Sequence, residues 1–410
     1  MNRVCSVLLL VALALPLFGE MPAGEFRARR AALRQALDGT LLLMARTEGR
    51  DPVFAFAQEP NFYYLTGWTQ PGAALLVTPS REILFLPHHD AVAERYHGRR
   101  WSAEDSGVQA ATGFEEVLPM EKLESELDQA LGAHEHVYTT GASYNQLLSR
   151  YPFRDIADAA SLIARLRVKK SAAEIAAIQH ATDVSIQAHR AAWKRIAAGQ
   201  YEYQIAATFL DTFLENGCEG PAYAPIVASG PNGTILHYMS NQRRMDRGEA
   251  VLIDAAAECD DYASDITRTV PVGGKFTPRQ REVYQIVLGA QKAAIAAVQP
   301  GARLSGQGET LTKIARDYMD AHGKDLHGEP IGKYFTHDIG HQVGLEVHDP
   351  NIAGPLEAGM VITIEPGIYI PEENLGVRIE DVLLVTENGA RVLSAALPKE
   401  PDEIEKALAK

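Results

Sequence analysis

Four carboxylates lie where apolar chain makes a charge costly. In Ala250-Val-Leu-Ile-Asp254 a β-branched run ends abruptly in an acid, and eleven positions later Asp265 sits in Tyr262-Ala-Ser-Asp-Ile-Thr-Arg-Thr269. The device recurs: Met360-Val-Ile-Thr-Ile-Glu365 ends in an acid before Pro366-Gly367. Fifteen residues on, Glu380 lies inside Val377-Arg-Ile-Glu-Asp-Val-Leu-Leu-Val385. A buried, unpaired carboxylate costs several kcal/mol, so each acid needs a cation, a hydrogen-bond donor or a raised pKa. Singly, such acids are ordinary strand ends or salt-bridge partners. Four together, with histidines nearby, point to metal ions, which satisfy several acids at once.

The histidines cluster in Phe335-Thr-His-Asp-Ile-Gly-His-Gln-Val-Gly-Leu-Glu-Val-His-Asp-Pro350, which sets His337, His341 and His348 within twelve residues. Imidazole is both a common metal ligand and an acid/base group near neutral pH, and glycine lets backbone approach a site closely. His237, in Ser229-Gly-Pro-Asn-Gly-Thr-Ile-Leu-His-Tyr238, follows a turn-rich loop of the kind that projects functional groups from a rim.

The elements that must carry these residues are α/β. Apolar runs at 73–78, 82–87 and 136–140 read as strands and 121–131 as an amphipathic helix, with no catalytic constellation among them. The tract 161–198 is strongly helical, with Ser171 capping and Glu174 three residues on. The domain boundary is expected there, dividing 21–161 from 162–410. Beyond it, helices at 202–216 and 278–298 alternate with strand runs at Val251, Ala263, Val361 and Val377. In an unbroken strand over 377–385, Arg378, Glu380 and Val382 share one face and Ile379, Asp381 and Leu383 the other, so one of the two adjacent acids points inward. No repeat of solenoid period is present.

The chain has 410 residues and a formal charge of −14, which repels nucleic-acid backbone. Residues 1–20, with Arg3 ahead of an apolar stretch at 7–18, have the build of a removable secretory signal and are too short to span a bilayer comfortably, so no membrane span is expected in the mature chain. Secretion or periplasmic export follows as an expectation. Cys5 falls in that segment; Cys218 and Cys259 are expected as two buried thiols without function, a single bridge being allowed in an oxidising compartment. Neither a G-x-S-x-G elbow nor an H-E-x-x-H helix occurs.

Taken together, these motifs resemble the pita-bread metallopeptidases, which include aminopeptidase P, prolidase, methionine aminopeptidase and the non-metal relative creatinase. The family's ligand order of two aspartates, one histidine and two glutamates falls on Asp254, Asp265, His341, Glu365 and Glu380, all present here, unlike in creatinase. The stretches SGPNGTILHY, DITRT, HDIGHQVGLEVHD, EPGIYI and VRIEDVLLV look most like aminopeptidase P and the Xaa-Pro dipeptidases. In the first half, EPNFYYLTGWTQPGAALLV and RYHGRRWS are similar to the creatinase-type N-terminal domain that methionine aminopeptidases lack.

The resemblance implies a creatinase-like α/β domain followed by a pita-bread α+β domain. It also implies two divalent ions, Mn²⁺ foremost and Co²⁺ or Zn²⁺ able to replace it, and cleavage of peptides whose second residue is proline. Asp265 and Glu380 would bridge the ions, Asp254 would complete one, and His341 with Glu365 the other, with Glu365 also shuttling protons. His237 and His348 would donate to the substrate carbonyl or oxyanion. His337 and Arg378 would bind substrate or brace the ligands, and Tyr96 would line the site. A homodimer or homotetramer formed through the N-terminal domain is expected, and the alternatives are a Xaa-Pro dipeptidase or an inactive peptide-binding relative.

Overall fold

A computed structural model describes residues 21–47, 56–133, 136–141, 143–152 and 154–409. The expected signal segment lies outside the described residues.

The first half forms a six-stranded mixed sheet in the order Glu116–Pro119, Glu82–Leu86, Ala74–Val77, Thr40–Met44, His136–Thr139, Asp155–Asp158. Because strand side chains alternate, Leu41 and Leu43 pack on one face with Phe26 and Leu33 of the helix Ala23–Ala36. Leu42 packs on the other face with Leu127 and Leu131 of the helix Leu123–Ala133. Both faces being covered, the central strands read as continuous apolar runs.

The second half is framed by helices. The capping box at Ser171 and Glu174 starts Ala172–Arg195, and a second, at Thr277 and Gln280, starts Pro278–Ala296. Glu202–Glu215 and Leu311–His322 complete the frame. Against them lies an antiparallel sheet of Thr267–Pro271, Ala250–Asp254 and Ile226–Ser229. A second sheet is built of Val361–Ile364, Asp381–Thr386 and Gly389–Val392, and a ribbon pairs Gly367–Ile370 with Leu375–Arg378. No helix among the described residues is long and apolar enough to cross a membrane.

Two expectations are corrected. The strand over 377–385 is not continuous: it breaks at Ile379 and Glu380, between Leu375–Arg378 and Asp381–Thr386. The break lets Glu380 and Asp381 both be buried, each in a different environment. The cysteines are not separate thiols but a Cys218–Cys259 disulfide. The chain leaves the helix Glu202–Glu215 through Gly217 at φ +80° and runs at once beside the strand Ala257–Cys259, where Gly220 pairs with Glu258; this brings the two sulfurs together.

The bridge closes a separation of 41 residues, and a loop of that size constrains the unfolded chain by on the order of 3–4 kcal/mol. The Cys218→Ser/Cys259→Ser protein is therefore expected to unfold at lower denaturant concentration than the oxidised parent. Equal midpoints would show that the bridge contributes nothing to stability.

Candidate functional site

Antiparallel pairing sets Asp254 opposite Thr267, so Asp265, two residues ahead of Thr267, arrives beside Asp254. The link is the Tyr223 hydroxyl, 2.5 Å from Asp254 Oδ1 and 2.6 Å from Asp265 Oδ1. The second acidic pair comes from the other sheet. Glu365 follows Val361–Ile364, and Glu380 occupies the break before Asp381–Thr386, where its amide donates to the Thr267 carbonyl and its carboxylate accepts from Thr267 Oγ1 at 2.7 Å. One threonine thus ties the two sheets together at the acids.

His341 reaches the same point because its segment runs along Val361–Ile364. Thr363 N–H donates to the His341 carbonyl and Glu365 N–H to that of Ile339. Gly340 permits this approach, since a Cβ there would lie 2.1 Å from the Thr363 carbonyl oxygen. His341 Nδ1 bonds the Gln342 carbonyl at 3.0 Å, which leaves Nε2 facing Asp265 at 3.3 Å and Glu365 at 3.5 Å. This is how a ligating imidazole is oriented: one nitrogen anchored to backbone, the other presented. Ligand atoms of Asp265, His341 and Glu380 all lie within 4.8 Å of one another, a set that could hold a metal ion.

The electrostatics follow from crowding. Burial first, and then the neighbouring acids, raise Glu380 well above the usual carboxylate range. Asp254 is also raised by burial, against the opposing pull of Arg378. Burial pushes Glu365 up to about 7 although His341 and Arg378 pull it down. Burial would lower His341, but Asp265 and Glu365 outweigh it and bring the imidazole to about 9. Four acids share one arginine and one imidazole, so protons must stand in for missing positive charge.

Arg378 is buried and fully engaged: its guanidinium donates to Asp254 Oδ2 at 2.6 Å, Thr267 Oγ1 at 3.1 Å and the Tyr369 hydroxyl at 2.9 Å. Burial lowers His337 to about 4, so it is neutral. Its Nδ1 donates to the Asp338 carbonyl and its bare Nε2 accepts from Tyr369. A directed chain therefore runs from Arg378 through Tyr369 and His337. His348 stands beside His341 with ring centroids 4.1 Å apart, and is lowered by burial and by His341. His237 is exposed, near enough that its charge lowers both His337 and His348. Tyr96 stands apart, 78% exposed on the helix Ala91–His97 of the first half.

The residues missed in the sequence are Tyr223, Tyr369 and Thr267. Thr267 sits within DITRT and Tyr369 within EPGIYI, so both were in view; what was absent was a sign that their hydroxyls face the acids. Tyr223 carries no motif, and only its place three residues before a strand that pairs with Asp254 could have marked it.

Comparison with known proteins bears on this geometry. The sequence pattern of metallopeptidase family M24 matches residues 176–387, and that of the aminopeptidase P N-terminal domain matches residues 26–138. A Xaa-Pro aminopeptidase of Haemophilus influenzae is 36% identical over 94% of this chain and 97% of its own. A Xaa-Pro dipeptidase of Pyrococcus horikoshii is 34% identical over 82% of this chain and 91% of its own. Among solved structures, Escherichia coli aminopeptidase P with the inhibitor Pro-Leu matches with a TM-score of 0.84 at 30% identity, covering 95% of this chain and 98% of that one. A zinc-substituted form of that enzyme with product matches equally well, with a TM-score of 0.84. With its acids and imidazole already converging on one point, the chain belongs to metallopeptidase family M24 and carries the aminopeptidase P type of N-terminal domain.

Proposed function

We propose that the chain is a Xaa-Pro aminopeptidase that removes the residue preceding a proline from peptides, using two divalent ions held by Asp254, Asp265, His341, Glu365 and Glu380. One observation carries the reading: acids from two sheets and one imidazole converge, and among the described residues Arg378 is the one arginine or lysine bonded to those carboxylates. The donor set fits the ions. Hard carboxylate oxygens with a single imidazole suit Mn²⁺, with Co²⁺ and Zn²⁺ as substitutes.

Bound there, divalent ions would polarise the scissile carbonyl and lower the pKa of water at neutral pH. The chain's own residues do the rest. Arg378 and Tyr223 hold Asp254 and Asp265 in place. Glu365 takes up and returns a proton at its carboxylate. His237 and His348 donate to the substrate carbonyl as charge grows on it, a task for preorganised donors. A tertiary Xaa-Pro amide lacks an N–H, so a site that demands no donor there and accommodates the ring selects it. Exposed Val92, Tyr96 and Trp101 offer apolar surface for the homodimer or homotetramer. Export through residues 1–20 is supported by the disulfide, since such bonds persist in oxidising compartments.

Asp265→Ala is expected to lose both bound metal and turnover, whereas His348→Ala keeps metal and loses about 10²-fold in kcat. Metal analysis beside steady-state kinetics distinguishes them, and full metal retention by Asp265→Ala would contradict its role as a ligand. A series of Xaa-Pro, Xaa-Pro-Yaa and longer peptides, assayed after reconstitution with Mn²⁺, is expected to favour the longer ones. Exclusive cleavage of the dipeptide would instead make the chain a dipeptidase, and no turnover of any would make it a binding relative.

The pH dependence has a fixed sign. Raised carboxylates and the raised His341 hold protons that a metal must displace, so affinity increases as pH climbs through the values of about 7 and about 9 reached by Glu365 and His341. In the metal-stripped protein, the acids' contribution to stability is greatest below the ordinary carboxylate value and is lost as pH rises through 7. Added Mn²⁺ should therefore raise Tm more at pH ~8 than at pH ~5.5. A gain that shrinks over this range would refute the proton-for-metal exchange.

A further inference from the structure

The acids are not the only buried carboxylate on which the site depends. Glu202, the first residue of the helix Glu202–Glu215, is fully buried and both of its carboxyl oxygens are met by hydrogen bonds. Oε1 accepts from the Ser229 amide at 2.8 Å, the Ser229 hydroxyl at 2.7 Å and Asn232 Nδ2 at 3.1 Å. Oε2 accepts from the Tyr238 hydroxyl and the Arg243 amide, each at 2.8 Å.

These donors come from the start, middle and end of one segment, 229–243, and that segment carries His237. The opposite side of the loop is equally confined: a Cβ on Gly376 would lie 1.7 Å from the Gly233 carbonyl oxygen, so the loop rests directly on the ribbon strand that ends in Arg378. On either side of His237, Leu236 and Tyr238 pack against Ile226, Ala228, Leu252 and Tyr369. His237 alone of these three is exposed.

We infer that Glu202 is a positioning residue for peptide cleavage: by gathering the 229–243 loop around one buried carboxylate, it fixes where the His237 imidazole meets the substrate. The inference rests on the role given to His237 above. Glu202→Gln keeps the shape but turns an NH₂ group toward donors, so in either orientation at least the bond from a backbone amide, that of Ser229 or of Arg243, is lost.

The test is a double-mutant cycle in the metal-loaded enzyme, with metal content and kcat and KM recorded separately. Glu202→Gln and His237→Ala are each expected to lower kcat by about tenfold or more, with KM changed less than about threefold and metal retained. The double variant should be no slower than His237→Ala by more than about twofold, because the anchor acts through that imidazole. Losses that multiply would overturn the inference and leave His237 in its role. An undiminished kcat in His237→Ala would remove that role and the anchor with it. Tyr238→Phe removes one donor without disturbing the carboxylate, and carries the test if Glu202→Gln does not fold. Its smaller loss in kcat should vanish in the His237→Ala background, and a loss that persists there would overturn the inference.

Discussion

Mutual repulsion among buried carboxylates is the constraint around which the catalytic half is organised. Two antiparallel sheets, strands apart in sequence, each deliver two acids to one place, and neither sheet alone could do so. Thr267 shows how closely the two are joined: its hydroxyl and carbonyl both bond Glu380, while Asp254 is its own partner in register. Such convergence is unfavourable until positive charge is supplied. Arg378 supplies part of it and protons the rest, and under the proposed reading two metal ions replace those protons.

Burial alone does not create this condition, as the neighbouring pair Glu380 and Asp381 demonstrates. Both are buried and adjacent in sequence. Asp381 faces Arg268 at 2.7 Å, Lys399 at 2.6 Å and Ser394 Oγ at 2.7 Å, and these hold it down to about 2 despite burial. Glu380 faces three other carboxylates and is raised. One acid has its countercharge built into the fold; the other does not, and this difference separates a structural ion pair from a site that could hold a cation.

The acids and the histidine cluster were legible in the sequence because their signal is local: an acid ending an apolar run, and glycines spacing three imidazoles. Most helices and strands were legible for the same reason, through periodicity and the Ser171 capping box. What could not be read depends on tertiary placement. The break at Ile379 leaves no mark in a run that is apolar on both sides. The Cys218–Cys259 bond depends on a left-handed turn at Gly217 meeting a strand 41 residues away. Tyr223 acquires meaning only when its hydroxyl lies between two aspartates.

The N-terminal half bears on the site through a buried polar cluster, among other contacts. Arg167, at the end of the helix Ala160–Arg167, donates to Asn61 of the first half at 2.8 Å, to Asp349 at 2.6 Å and to Glu346 at 2.9 Å. Lys170 reaches the other oxygen of Asp349 at 3.0 Å. Asp349 immediately follows His348, so the loop bearing that histidine is gripped by the segment joining the two halves. A buried ion pair is weak evidence for stability, because desolvation offsets its attraction. What it supplies is orientation, since Arg167 and Lys170 hold the two oxygens of Asp349 from separate positions. The position of His348 beside His341 is therefore set partly by the docking of the first half.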